Sequence, residues 1–217
     1  MAVKPLGRFI AFEGGEGAGK STQARMLAAA LAERGIDAVL TREPGGTSGA
    51  ESIRHLLLEP PGAGWGAHAE ALLFAAARAD HVASLIRPAL EAGQWVICDR
   101  FLDSSRAYQG VALGLGDEAI LALHRIGSQG LLPDLVLVME VPAGDAATRL
   151  VERDGTASDA IGGRGASYHE AVNRAFGEFA RQEPRRYALI DGNGAVDEVH
   201  QRVLAAMMPL LAGLEPC

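Results

Sequence analysis

The chain has 217 residues, 48% hydrophobic and 22% charged, enough to bury one sizeable core, and a single domain over residues 1–217 is expected. A net charge of -7 and a pI near 5.4 leave no basic footprint for nucleic acid, so an anionic ligand has to be captured by a few local cations. Two cysteines, Cys98 and Cys217, are too few for a disulfide framework or a cysteine-based zinc site. No apolar run approaches the ~20 residues of a membrane span, and a soluble, cytoplasmic protein is expected.

The first strand-like run, RFIAFEG, leads into Gly14-Gly15-Glu16-Gly17-Ala18-Gly19-Lys20-Ser21, followed by Thr22 and by helical spacing from Ser21 to Arg34. This is G-x-x-x-x-G-K-[ST] between a strand and a helix, the context in which glycines turn backbone N–H groups inward around phosphates. The residues from Gly14 to Thr22 are expected to bind a nucleoside triphosphate. Lys20 should reach its β- and γ-phosphates and Ser21 should ligate Mg²⁺. The pattern is specific for that ligand class and silent on the reaction.

A second apolar run, DAVLTRE, ends in the turn Glu43-Pro44-Gly45-Gly46, and SIRHLLLEP after it carries Arg54. The loop Glu59 to Gly66 precedes a long helical pattern from Ala67 to Ala92. The run WVICDR then closes on Asp99 and Arg100, and the polar segment that follows, with Ser105, Tyr108 and Gln109, reads as a loop. Helical spacing returns at Glu118 to Gly127, Asp145 to Glu152, Ala166 to Arg181 and from Val196, separated by the runs DLVLVMEV and RYALIDG. The Gly-, Ser- and Asp-rich segment Asp154 to Gly165 has the composition of an excursion or lid. Strands apolar throughout and alternating with helices define an α/β fold with a parallel sheet covered on both faces. Such sheets bind ligands at the carboxyl ends of their strands.

No guanine-reading N-K-x-D segment is present, which argues against a GTPase switch. The strand WVICD ends in Asp99 and Arg100, where a motor or helicase usually carries an acidic pair. An arginine beside a phosphate cradle suits a second anionic substrate, because its planar fork matches a phosphate bidentately. Phosphoryl transfer needs little beyond positioning and charge neutralisation.

Together with the cradle, TREPGGT (Thr41 to Thr47), LLFAAARADH (Leu72 to His81) and DRFLDSSRAYQG (Asp99 to Gly110) resemble the thymidylate kinase family over nearly the whole chain. The resemblance implies a P-loop NTPase-type three-layer sandwich, with a five-stranded parallel sheet, helices on both faces and a short lid at about residues 154–165. It also implies the reaction of ATP with dTMP to give ADP and dTDP, with Mg²⁺, in dTTP biosynthesis, by a homodimer. The alternatives are another deoxynucleoside monophosphate kinase and an ATP-binding regulatory protein without turnover.

By the same resemblance, Arg100 holds the dTMP phosphate, with Asp99 organising it and the metal's water shell. Arg54 is a second phosphate ligand, or else an exposed helical arginine. Phe74 stacks on thymine while Arg78, one turn on, reads its exocyclic oxygen. Ser105 meets the base edge, Tyr108 packs under the deoxyribose, Gln109 is a neighbouring candidate, and Glu13 binds the sugar 3′-OH. The turn Asp191 to Val196 lies where the ATP base is held. One departure stands out: aligning back from YHEAVNRAF puts Ala160 where the lid arginine is expected. Arg153 and Arg164 are the expected replacements, with Arg149 as a further source of the charge.

Overall fold

A computed structural model describes residues 6–142, 144–146, 149 and 159–212. Five strands form one all-parallel sheet in the order β2-β3-β1-β4-β5, with β1 at Phe9–Gly14, β2 at Ala38–Arg42, β3 at Trp95–Asp99, β4 at Leu135–Glu140 and β5 at Tyr187–Asp191. The central strand β1 is buried at every position, as a strand covered on both faces must be. Its register sets Phe12 opposite Asp99 of β3 and opposite Leu137 of β4. The loops after β1 and β3 therefore leave the sheet side by side.

One face of the sheet is covered by α1 (Lys20–Glu33) and by a C-terminal helix, here α7 (Val196–Leu211), over a core that includes Ile10, Phe12, Leu27, Ile97 and Val203. The other face carries α3 (Ala67–His81), α5 (Asp117–Gly127) and α6 (Ala166–Gln182), over Phe9, Val96, Phe101, Ile86 and Phe176. Helix α3 runs on through a wider, π-type turn at Val82–Ile86 into Arg87–Glu91, giving the long helix expected from Ala67. The widening sits where Pro88 has no N–H to donate, and Arg87 N–H reaches back to Val82 O.

Two helices lie outside the stretches of helical spacing. Helix α2 (Ser48–Leu58) is capped by Thr47, whose hydroxyl accepts from Ala50 N–H at 3.2 Å. The segment expected to be a loop after β3 is helical: α4 at Leu102–Ser105 continues as π-type turns over Arg106–Ala112. Serine, aspartate and glycine are weak helix formers, so this stretch owes its shape to tertiary contacts. Arg106 is central among them. It donates to Asp103 at 2.8 Å, to Asp117 at 2.7 and 2.9 Å and to the Tyr187 hydroxyl at 3.0 Å, with its guanidinium 4.0 Å from the Phe179 ring centre.

Removing Arg106 leaves the Asp103 carboxylate, 1% exposed, buried beside Tyr187 without its cation. Arg106→Leu is expected to lower unfolding stability by about 3–5 kcal/mol, measured by urea unfolding.

Candidate active site

The carboxyl ends of β1, β2 and β3 open into a cavity of about 500 Å³. Its walls include the loop Glu16 to Thr22, the turn residues Glu43 and Pro44, Arg54 and Phe74, and the β3 exit from Asp99 through Gln109. Six cations line it: Lys20, Arg25, Arg42, Arg54, Arg100 and Arg149. In a chain of net charge -7 this gathering marks the anion site.

Lys20 folds back over the loop, its ammonium donating to Gly15 O at 2.6 Å. Burial, and then Arg100 nearby, lower its pKa to about 8. Ser21 Oγ donates to Asp99 Oδ2, so the first hydroxyl of α1 and the last carboxylate of β3 form one oxygen pair at the loop. Gly15 has no room for a side chain, since a Cβ would fall 2.3 Å from Asn173 Oδ1 on α6. Gly14 and Gly15 face a second, smaller cavity of about 120 Å³, and the main one is lined from Glu16 onward.

Arg100 leaves β3 with φ 70°, a left-handed backbone uncommon outside glycine. Its N–H donates to Phe12 O at 2.9 Å, and its guanidinium donates to Gly14 O at 3.1 Å, Ser104 Oγ at 3.2 Å and Glu16 Oε1 at 2.6 Å. The guanidinium lies 5.2 Å from the Tyr108 ring centre. The carboxylate paired with Arg100 is thus that of Glu16. Arg54 donates to Pro44 O at 2.8 Å and lines the same cavity, as do Phe74, Ser105, Tyr108 and Gln109. Ser104, Ser105, Tyr108 and Gln109 share one face because the segment is helical.

Besides Gly14 and Gly15, three expected site residues are absent from the wall of the main cavity. Glu13 is fully buried behind the loop and absent from the cavity wall. Its carboxylate accepts from Phe101 N at 2.8 Å, Ser104 N at 3.0 Å and Ser104 Oγ at 2.6 Å, so both of its oxygens are engaged by protein. Arg78, 3% exposed, stands behind Ser105 and donates to Glu43, Phe101 O and Ser105 Oγ. Arg164 is held away from the phosphate loop by the buried Glu70 carboxylate and by the Tyr168 hydroxyl at 2.5 Å. A swing of Arg164 to the reacting phosphoryl would break that ion pair. Arg153 and residues 154–158 of the expected lid lie outside the described residues. At the lid base, Asp159 caps its own turn and Ala160 N–H meets Leu58 O at 3.4 Å.

The sequence reading missed Arg25, Arg42 and Ser104 as cavity residues, although Arg25 sits one turn after Ser21 on α1 and periodicity alone would have aimed it there. Arg149 closes the rim opposite, donating to Gly192 O at 3.1 Å in the turn that follows β5. That contact ties the helix before the lid to the turn expected at the adenine end.

A phosphate loop, a hydroxyl–carboxylate pair and a second arginine cluster facing one cavity define a P-loop kinase for a small anionic acceptor. A family model of thymidylate kinase matches residues 12–203. A thymidylate kinase of Rhizorhabdus wittichii is 58% identical over 205 residues, covering 94% of this chain and 99% of that protein. One of Afipia carboxidovorans is 46% identical over 211 residues, covering 97% and 92%. The crystal structure of a thymidylate kinase from Ehrlichia chaffeensis overlays with a TM-score of 0.76 at 32% identity, covering 94% of this chain and 100% of that one. The chain belongs to the thymidylate kinase family.

Two pH effects follow. Above about pH 8 the unliganded Lys20 loses its proton, whereas a bound polyphosphate needs the ammonium, so ATP binding takes up a proton there. ATP affinity measured by calorimetry is expected to fall by up to about tenfold per pH unit above that point, and Lys20→Arg is expected to flatten the slope. For Glu13, burial and then Asp103 raise the pKa from 4.5 to about 7. The folded pKa is the higher one, so its contribution to stability is complete below pH 4.5 and is lost as pH rises to about 7. Glu13→Gln keeps an oxygen for the two N–H donors, and is expected to flatten that part of the stability–pH curve in thermal unfolding.

Proposed function

We infer that this protein transfers the γ-phosphoryl group of ATP to dTMP, giving dTDP and ADP. The observation that carries the reading is that Lys20 with the loop and Arg100 with Arg54 line one cavity, where a donor and an acceptor phosphate would face each other. In such a reaction the protein supplies positioning and countercharge more than covalent chemistry.

The loop from Glu16 to Thr22, with Lys20, takes the donor phosphates, and Arg100 and Arg54 take the monophosphate. Phe74 and Tyr108 supply faces for the base and the deoxyribose, with Ser105 and Gln109 at the base edge; a polar partner there gives selectivity that stacking alone lacks. Ser21 and Asp99 are adjacent hard oxygen donors at the loop, a set that fits Mg²⁺ completed by phosphate and water. Bound there, the ion would neutralise charge on the β- and γ-phosphates. Arg149 at the rim, and Arg153 further along the same segment, serve as the lid-side charge that Ala160 does not provide.

The leucine at 72 on α3 and the isoleucine at 126 on α5 are 56% and 81% exposed on helices that pack on each other, which supports a homodimer through that side. Among the described residues no helix is long and apolar enough to cross a membrane, and a cytoplasmic location suits the substrates.

ADP release from ATP and Mg²⁺ is expected with dTMP and far less with dCMP or dGMP. Release that is equal with all of them, or absent with dTMP, would overturn the reading. Arg149→Ala is expected to lower kcat by about 10²-fold or more with little change in the KM for dTMP, measured in the same coupled assay.

A further inference from the structure

Behind the base wall of the cavity runs a chain of buried hydrogen bonds that joins β2, the Glu43-Pro44 turn, α3 and the exit of β3. Thr41 Oγ1 meets His81 Nε2 at 2.8 Å, and His81 Nδ1 meets Glu43 Oε1 at 3.1 Å. Glu43 Oε2 accepts from Arg78 Nε at 2.7 Å, and Arg78 Nη2 donates to Ser105 Oγ at 2.8 Å and to Phe101 O at 3.0 Å. Every member is buried, from His81 at 0% to Thr41 at 8%. One tautomer satisfies the ring: Nδ1–H donates to Glu43 while Nε2 accepts from the Thr41 hydroxyl.

We propose that His81 is a positioning residue for base selectivity, acting through Glu43 to fix the guanidinium of Arg78. A carboxylate held by one partner can rotate about its last bond; Glu43 is held at both oxygens, by His81 and by Arg78. The guanidinium it grips is pinned in turn by Phe101 O and Ser105 Oγ through Nη2. Nη1 has no hydrogen-bond partner among the described residues, which leaves a donor of fixed direction behind Ser105, the residue that lines the cavity. A fixed donor favours a base that presents an oxygen and disfavours one that presents an amino group at the same place. The chain is also enclosed from above: a Cβ on Gly46 would fall 2.4 Å from Thr41 Oγ1 and 2.6 Å from His81 Nε2. The backbone of the Glu43–Gly46 turn thus lies directly on the Thr41–His81 bond.

The inference rests on the dTMP reading, and binding measured without ATP separates the two, because turnover is not needed to see base preference. Calorimetric Kd values for dTMP and dCMP are to be compared in the parent chain, His81→Leu, His81→Asn and Thr41→Val. His81→Leu is expected to weaken dTMP by about tenfold or more and dCMP much less, collapsing the preference, while the Kd for ATP stays within about twofold. His81→Asn, whose amide donates to Glu43, is expected to restore most of the preference. Thr41→Val, which removes only the outermost bond, is expected to give a smaller loss in the same direction, and it carries the test if His81→Leu does not fold. Unchanged preference in folded variants, equal weakening of both nucleotides, or a parent chain that does not prefer dTMP over dCMP would overturn the proposal. A parent chain that prefers dTMP but releases no ADP would overturn only the assigned reaction.

Discussion

The site depends on one constraint: β1 and β3 are parallel neighbours, and β1 runs beyond the end of β3 only from Phe12 to Gly14. With Phe12 opposite Asp99, the phosphate loop and the Asp99-Arg100 turn have to share space, and Glu13 fastens them together. A carboxylate with no solvent exposure is costly unless its oxygens are satisfied. Here the satisfying donors are the backbone of the next element, Phe101 and Ser104, so the cost of burying Glu13 falls if and only if the helix after β3 begins in its observed place. The left-handed backbone of Arg100 costs on the order of 1–2 kcal/mol. It is held by the Phe12 carbonyl on one side of the residue and by the Glu13 grip on Phe101 on the other. The turn aims the guanidinium across the loop toward Gly14 O and Glu16.

Charge balance inside the cavity explains why so many cations tolerate one another without ligand. Arg100 has Glu16, Arg42 has Glu51, and Lys20 leans on the Gly15 carbonyl. Of these partners Glu16 lines the cavity itself, so a phosphate that meets Arg100 would have to compete with it, and binding there would be an exchange of ion pairs. Such an exchange would favour ligands with two or more negative charges, since a single carboxylate returns no more than Glu16 already supplies. The lowered pKa of Lys20 is the residue of this balance: burial and Arg100 outweigh the attraction of Asp99 and Glu16.

Much of this was legible in the chain itself. All five strands appear as apolar runs, and the three inner ones, β1, β3 and β4, are buried along nearly their whole length, with no polar alternation to obscure them. The loop from Gly14 to Ser21 is legible because backbone approach to phosphate admits few residue types. The helices α2 and α4 were not. Gly45-Gly46 and Gly49 hide the Thr47 cap, and the Ser- and Asp-rich α4 is held by Arg106, Asp103 and Tyr187, partners distant in sequence. The contacts of Glu13 and Arg164 were not legible for a related reason. A carboxylate one residue before a phosphate loop, or an arginine among glycines, looks available to a ligand until the fold shows Phe101 and Ser104 on the first and Glu70 on the second.

Ala160 makes the same point about charge at the reacting centre. A sequence pattern specifies where a Cα stands, whereas stabilisation of a moving phosphoryl depends on where a guanidinium ends. The lid base occupies its place without an arginine at 160: Asp159 closes its own turn, Ile161 is 9% exposed on the cavity wall, and Ala160 N–H faces Leu58 O. Arg149 approaches the phosphate loop from the segment before the lid, with Nη1 4.0 Å from where a Gly19 Cβ would be. Its contact with Gly192 O leaves the other guanidinium nitrogen on the loop side. As the proposed lid-side charge, an arginine there would need no large closure to meet a bound γ-phosphate, and the Ala160–Ile161 step beside Leu58 would leave charge neutralisation to it.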